Sequence, residues 1–377
     1  MTVDQNISSR INLMRLLLIC GIVFVHVPYD ADASPFVGPD GPFDWLRVYL
    51  GESLFRIGVP CLSAISGYLL FQKGYESFDY GRVLSSKSRT VLLPFMLWNF
   101  LLILFVLAVQ RLGMGIGYFP DLWHAGAWDW LNYAFAFSDY PVNLPLYFLR
   151  DLILCILLSP VLVFLVRKAP AMTLGVFFAF AVFPSLDTMI FLKNSILFSF
   201  TLGIAVAIHK VDVKMLDRYA PIALAVLLAT SFALSLGLLK QGPDYPTGLH
   251  VSRNLLAVAG ALLVWILSAP LVRTRPGQAL ARTGTLSFWT FCAHYPLLVV
   301  LWMFWNRYAD ASLYPLFYVG AVLITFGVIF ASHQMVKQRI PALYDVLTGS
   351  RGKRVKQPIR SHETTASRPA SASQETR

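Results

Sequence analysis

Arg15 and His26 lie in the first apolar stretch of the chain, Arg15-Leu-Leu-Leu-Ile-Cys-Gly-Ile-Val-Phe-Val-His26, with ten residues between them. In a helix, eleven steps of about 100° return to within roughly 20° of the starting direction, about 16 Å further along. Both side chains therefore share one stripe. An ionisable residue inside a membrane span is costly unless it meets a partner or a cavity. Two on one stripe describe a polar groove through the bilayer, with a fixed cation near one end and a titratable imidazole deeper in. That arrangement suits a substrate with a charged head and a reactive end. The same residues also fit an Arg15 that reaches the headgroups and a His26 at the far interface.

The segment that carries them belongs to a polytopic membrane protein. Hydrophobic residues make up 56% of the 377, charged residues 14%, and mean hydropathy is +0.61, outside the range of soluble domains. Apolar runs fall near 12–29, 50–71, 90–110, 145–166, 171–186, 190–209, 219–239, 254–272, 285–305 and 312–334. Most have the length needed to cross ~30 Å of hydrocarbon; 171–186 is short. The first run carries Arg and His and has no small-residue cleavage site, so it reads as a retained span rather than a signal peptide. The expected fold is all-α, with about ten transmembrane helices around a polar pore or groove.

Basic residues set the orientation. With the N-terminus inside, 22 of the 31 Lys/Arg fall on inner segments and six on outer loops, so both termini are expected in the cytoplasm. This bias accounts for most of the +11 net charge without a nucleic-acid partner. Residues 1–338 form the expected membrane domain. Residues 339–377 form the expected tail, polar and Ser/Thr-rich from Arg351 onward, with a basic cluster suited to anionic headgroups. Cys20, Cys61, Cys155 and Cys292 all sit in apolar runs with no CxxC or zinc spacing, so they read as packing residues and no metal site is expected. There is no Walker loop and no dinucleotide fingerprint.

Several segments, in order from Arg10 to about Gln338, resemble the acyltransferase-3 family of multi-pass bacterial O-acyltransferases. Arg15 and His26 match its leading Arg-x10-His motif. Phe55-Arg-Ile-Gly-Val-Pro-Cys-Leu-Ser-Ala-Ile-Ser-Gly-Tyr-Leu69 resembles its VPxFFxxSGYL stretch, with Cys61-Leu62 in place of the aromatic pair. Arg89-Thr-Val-Leu-Leu-Pro94-Phe-Met-Leu-Trp98 resembles the start of its third span. Leu146-Tyr-Phe-Leu-Arg150-Asp151-Leu and Ser287-Phe-Trp-Thr-Phe-Cys-Ala-His294-Tyr-Pro resemble two further motifs. Each is weak alone; the ordered set is strong. The stretch through Leu69 is most similar to members that succinylate the exopolysaccharide succinoglycan.

The resemblance implies a bacterial inner-membrane enzyme that moves an acyl group, succinyl from succinyl-CoA, to a sugar hydroxyl. The acceptor would be an exopolysaccharide or its lipid-linked oligosaccharide precursor. It implies acyl-CoA as donor substrate, no permanently bound cofactor, and contact with membrane lipid and polysaccharide-synthesis machinery. O-acylation needs a base for the hydroxyl, a bound thioester and a group to hold the oxyanion. His26 suits the base, since imidazole titrates near neutrality. Arg15, at the cytoplasmic end of the stripe, suits a bidentate hold on a donor phosphate. The distance between them is of the order of a pantetheine arm.

Arg56 and Arg150 are the two further candidates for the donor, and either suits the distal carboxylate of a succinyl group. Glu52 precedes Arg56 by four residues, so a local ion pair fits equally well. Arg150 and Asp151 point about 100° apart and cannot both face one cavity squarely. His294 lies mid-span in the ninth run, suited to chemistry or to a structural hydrogen bond. Ser63 and Ser66 suit oxyanion or sugar contacts, as well as close helix packing. The loop 111–144 mixes Trp and Tyr with Asp121, His124, Asp129 and Asp139, which fits a helix lying in the membrane interface better than a sugar platform. A secondary transporter or glycan flippase is the alternative function, although no matching pair of broken spans recurs in the two halves.

Overall fold

Backbone amides in hydrocarbon have no water to bond, so each apolar run must satisfy its own, and helices result. The computed structural model describes residues 5–29 and 42–350, and all its regular elements are helical. α1 (Gln5–Val25) comes first. α2 (Pro42–Val48) runs through a π-helical turn (Tyr49–Ser53) and a 3-10 turn (Leu54–Ile57) into α3 (Gly58–Phe71). α4 (Tyr80–Lys87) passes through a second π-helical turn (Ser88–Leu92) into α5 (Leu93–Arg111). Then follow α6 (Ala127–Phe135), α7 (Tyr147–Leu157), α8 (Ser159–Lys168), α9 (Pro170–Val182), α10 (Asn194–Ile208) and α11 (Ala220–Gln241). α12 (Thr247–Leu271), α13 (Arg275–Ala281), α14 (Gly284–Tyr308), α15 (Tyr314–Arg339) and α16 (Pro341–Thr348) complete the order.

Among the described residues, seven helical stretches are long and apolar enough to cross a membrane, and α7–α8, bent by 63°, makes an eighth when the pair counts as one span. Ten were expected. The difference lies at 171–186 and 190–209, where α9 and α10 have only 13 and 15 residues. The stretch between them, around Pro184 and Asp187, leaves the helix, so neither reaches the ~20 residues a full crossing needs.

α1 packs against α14, α13, α3 and α12, and α3 makes its tightest contact with α10. Small residues allow that approach. A Cβ on Gly67 would run into the Phe200 carbonyl, and one on Gly203 into the Ala64 carbonyl. The Ser-Gly of the second span is thus a helix-packing device. At the same end of α1, Arg10 is fully buried. Its guanidinium reaches Asp217 at 2.8 and 2.9 Å and Ser268 at 2.8 Å, and stacks over Trp265. It therefore clamps α1 to α12 rather than serving only as a flanking charge. The helical body also runs past the boundary expected at residue 338. α16 docks under α5, α14 and α15, with Trp98 donating to the Leu347 carbonyl at 3.0 Å and Tyr344 beside His333 at 3.0 Å. The remainder of the expected tail, 351–377, lies outside the described residues.

Gly203→Leu should force α3 and α10 apart and lower stability by about 3 kcal/mol or more. Gly175, whose Cβ would meet open space, provides the control. Thermal unfolding of the purified protein in detergent should show a lower midpoint for Gly203→Leu and an unchanged one for Gly175→Leu.

Candidate functional site

The second span is broken where it passes His26. A π-helical turn followed by a 3-10 turn interrupts the regular ladder over 49–57, and such interruptions re-aim side chains out of a helix face. Glu52 and Arg56 sit in this break. Their i, i+4 ion pair forms, with Arg56 Nη2 at 2.8 and 2.7 Å from the two carboxylate oxygens. Arg253 of α12 joins it, donating to Glu52 Oε2 at 2.7 Å, to the Glu52 carbonyl at 3.2 Å and to the Tyr245 hydroxyl at 3.0 Å. One carboxylate thus holds two guanidiniums.

These groups border a cavity of about 290 Å³. His26, Arg56, Tyr140, Tyr147, Lys193 and Arg253 line it, with Ile22, Val59 and Pro60 as apolar wall. The wall is therefore mixed, with three cations and one titratable imidazole. Lys193 is placed by its own backbone. Its amide donates to Asp151 Oδ2 at 2.9 Å, and its ammonium lies 5.9 Å from the Tyr140 ring centre.

Hydrogen bonding fixes the protons on the two histidines. His294 is fully buried on α14, with Nδ1 at 3.0 and 2.9 Å from the carbonyls of Thr290 and Phe291. Carbonyls only accept, so Nδ1 carries the proton and Nε2 is bare. His26 Nδ1 lies 2.9 Å from the Ile22 carbonyl and 3.4 Å from His294 Nε2. It too must be the protonated nitrogen, shared between those two acceptors. His26 Nε2 is then left with a free lone pair. The pair meets edge-on, with ring centres 5.1 Å apart. This is the form a general base requires.

The sequence-derived candidates divide. His26, Arg56 and His294 come together at or behind the cavity wall. Arg15 is half-buried on α1 and makes no hydrogen bond or ion pair with a described residue. Arg150 is not on the cavity wall. Its guanidinium donates to the carbonyls of Ala136, Phe137 and Ile190 and to Asp151 at 2.8 Å. Ser66 and Ser63 turn back on their own helix, to the carbonyls of Leu62 and Val59, both at 2.8 Å. Arg253, Lys193 and Tyr147 were not singled out as candidates in the sequence, and Tyr140 entered only among the aromatics of the 111–144 loop. Arg253 falls one residue before the apolar run at 254–272 and was counted with the outer loop, but α12 begins at Thr247.

A second cavity, of about 200 Å³, continues along the same helices toward the Arg15 end. Met14 of α1, Cys61 of α3, Leu202 of α10 and Ala261 of α12 line it, and its wall is almost wholly apolar. The two cavities thus differ along α1: the chamber at His26 is lined by charge, and the one toward Arg15 by apolar side chains. Above the His26 chamber, buried amides stitch the 111–144 loop down. Asn99 donates to the carbonyls of Tyr133 and Ala134 at 2.6 and 2.7 Å, and Gln110 donates to that of Pro120 at 2.8 Å. In this exposed loop, His124 at 2.8 Å from the Asp121 carboxylate holds that carboxyl below its ordinary range.

The chain is a membrane O-acyltransferase by family: it belongs to the acyltransferase-3 family, whose acyltransferase domain matches residues 8–333. It is 55% identical over 348 residues to the succinoglycan biosynthesis protein ExoH of Rhizobium meliloti (strain 1021), covering 92% of this chain and 94% of that protein. No solved structure matches.

Asp151 is 0% exposed, so removing its partner leaves a buried charge short of compensation. Arg150→Met should cost about 3 kcal/mol, and Arg150→Met with Asp151→Asn should recover part of the loss. A double-mutant cycle on thermal midpoints measures this; full additivity would mean the two do not act as a pair.

Proposed function

We propose that this chain transfers a succinyl group from succinyl-CoA to a hydroxyl of a succinoglycan-type exopolysaccharide or its lipid-linked precursor. The observation that carries the reading is His26, its Nε2 lone pair left free by two acceptors at Nδ1, in a chamber rich in cations. Family membership and the likeness to a succinoglycan biosynthesis protein supply the class of donor and acceptor. The enzyme sits in the bacterial inner membrane with both termini in the cytoplasm, as the bias of basic residues supports. On that orientation Arg15 faces the cytoplasmic donor, and the His26 chamber lies toward the outer side. Polysaccharide-synthesis machinery and membrane lipid are the partners this placement suits.

In the reaction, His26 Nε2 takes the proton of the sugar hydroxyl as its oxygen attacks the thioester carbon. The imidazolium so formed has its Nδ1–H held by the Ile22 carbonyl and His294 Nε2. The tetrahedral intermediate collapses, the carbon–sulfur bond breaks, and the CoA sulfur recovers the proton from His26. His294 does not touch the substrate; it is a positioning residue. Arg15, with a planar fork and no described partner, holds a phosphate oxygen of the donor.

His26→Ala should abolish release of CoA thiol from succinyl-CoA, whereas His294→Ala should leave a slow enzyme, about ten- to a hundredfold down in kcat, because Ile22 still orients the ring. More than a few per cent activity in correctly inserted His26→Ala removes this residue from the role of base. Arg15→Lys keeps the charge and loses the fork, so it should raise the KM for succinyl-CoA and change kcat less. A normal KM with a collapsed kcat would assign Arg15 to the chemical step instead.

A further inference from the structure

The His26 chamber holds more positive charge than the base needs. Arg56, Arg253 and Lys193 all line it, and Glu52 is the carboxylate that answers them. Glu52 takes Nη2 of Arg56, while Arg253 has Nε and Nη2 on Glu52 and Nη1 on the Tyr245 hydroxyl. Arg56 Nε is buried with no hydrogen-bond partner, and Lys193 meets only the face of Tyr140 among the described residues. A buried donor without an acceptor is costly, so such a group marks the place of an absent one.

We propose that Arg253, Arg56 and Lys193 form a receptor for the free carboxylate at the far end of the donor's acyl group, with Glu52 as the strut that sets the two guanidiniums in place. The inference rests on the reading that the donor is a CoA thioester. A four-carbon diacid monothioester has its two carbonyl carbons about 4 Å apart, from C–C bonds of about 1.5 Å. His26 and the three cations line one cavity of about 290 Å³, room for a group of this size. With the thioester carbon at His26, the two methylenes lie along Ile22, Val59 and Pro60, and the carboxylate meets the cations. A CoA pyrophosphate is excluded from this role, because the pantetheine arm separates it from the thioester by far more than the cavity spans. Charge selection of this kind is steep: an uncharged acyl group leaves three cations facing one carboxylate in a partly dehydrated site.

The test uses purified protein, an oligosaccharide of the exopolysaccharide repeat as acceptor, and three donors: succinyl-CoA, acetyl-CoA, and succinamyl-CoA, in which an amide replaces the carboxylate at nearly equal size. The native enzyme should favour succinyl-CoA over succinamyl-CoA by about tenfold or more in kcat/KM. Arg253→Gln and Lys193→Gln should each bring that ratio toward one, chiefly by raising the KM for succinyl-CoA. Turnover of succinamyl-CoA by the variants shows that they are folded. Should Arg253→Gln turn over no donor at all, Lys193→Gln, which breaks no ion pair, decides alone. A native preference that both variants retain overturns the receptor and leaves the succinyl reading standing. A native enzyme that treats the three donors alike, or uses none, overturns the succinyl reading and the receptor with it.

Discussion

Glu52 shared between Arg56 and Arg253 is the interaction on which the site depends. It crosslinks the break in the second span to α12, with both contacts at 2.7 Å, and without it the two guanidiniums would repel each other across the chamber. Breaking a partly buried pair of this kind costs about 3–5 kcal/mol, because the surviving charge is left uncompensated. Glu52 lies in the π-helical turn and Arg56 in the 3-10 turn of that break.

Around that link the charges sort into two kinds. Arg10 and Arg150 have their donors taken up by protein: a carboxylate, a hydroxyl and a carbonyl for Arg10, and three carbonyls and a carboxylate for Arg150. They fasten α1 to α12 and the 111–144 loop to α7. His26, Lys193 and Arg56 instead line a cavity. A low-dielectric environment enforces the division, since an ionisable group there must either be paired or line a space where a ligand or water completes it. The paired arginines build the frame, and the incompletely paired groups mark the site.

This division explains what could be read from the sequence. The all-helical membrane fold was legible because apolar runs in a bilayer have no other way to satisfy their backbone. His26 was legible from its type and its place on the Arg15 stripe. Arg56 and Arg150 looked alike as isolated arginines in apolar runs, and only their partners separate them. Those partners are carbonyls at Ala136, Phe137 and Ile190 for one, and the Glu52 carboxylate beside the cavity for the other. Backbone carbonyls are invisible to a residue-type argument. Arg253 was lost for a related reason: hydropathy began its span at 254, whereas α12 starts seven residues earlier, so a wall residue was counted with the loop.

The two histidines show why tertiary contact matters more to this site than motif. His294 sits 268 residues along the chain from His26, on a helix that packs along α1. Its own Nδ1 is committed to carbonyls one turn back, so it can offer His26 only an acceptor. An acceptor at Nδ1 is what a base working through Nε2 requires. It excludes the other neutral tautomer, and it would stabilise an imidazolium formed by proton uptake at Nε2. A carboxylate in the same place would do so more strongly, at the cost of burying an ion beside an apolar helix interface. A neutral imidazole accepts the same N–H without a charge to solvate, which suits a histidine placed at the end of a transmembrane helix.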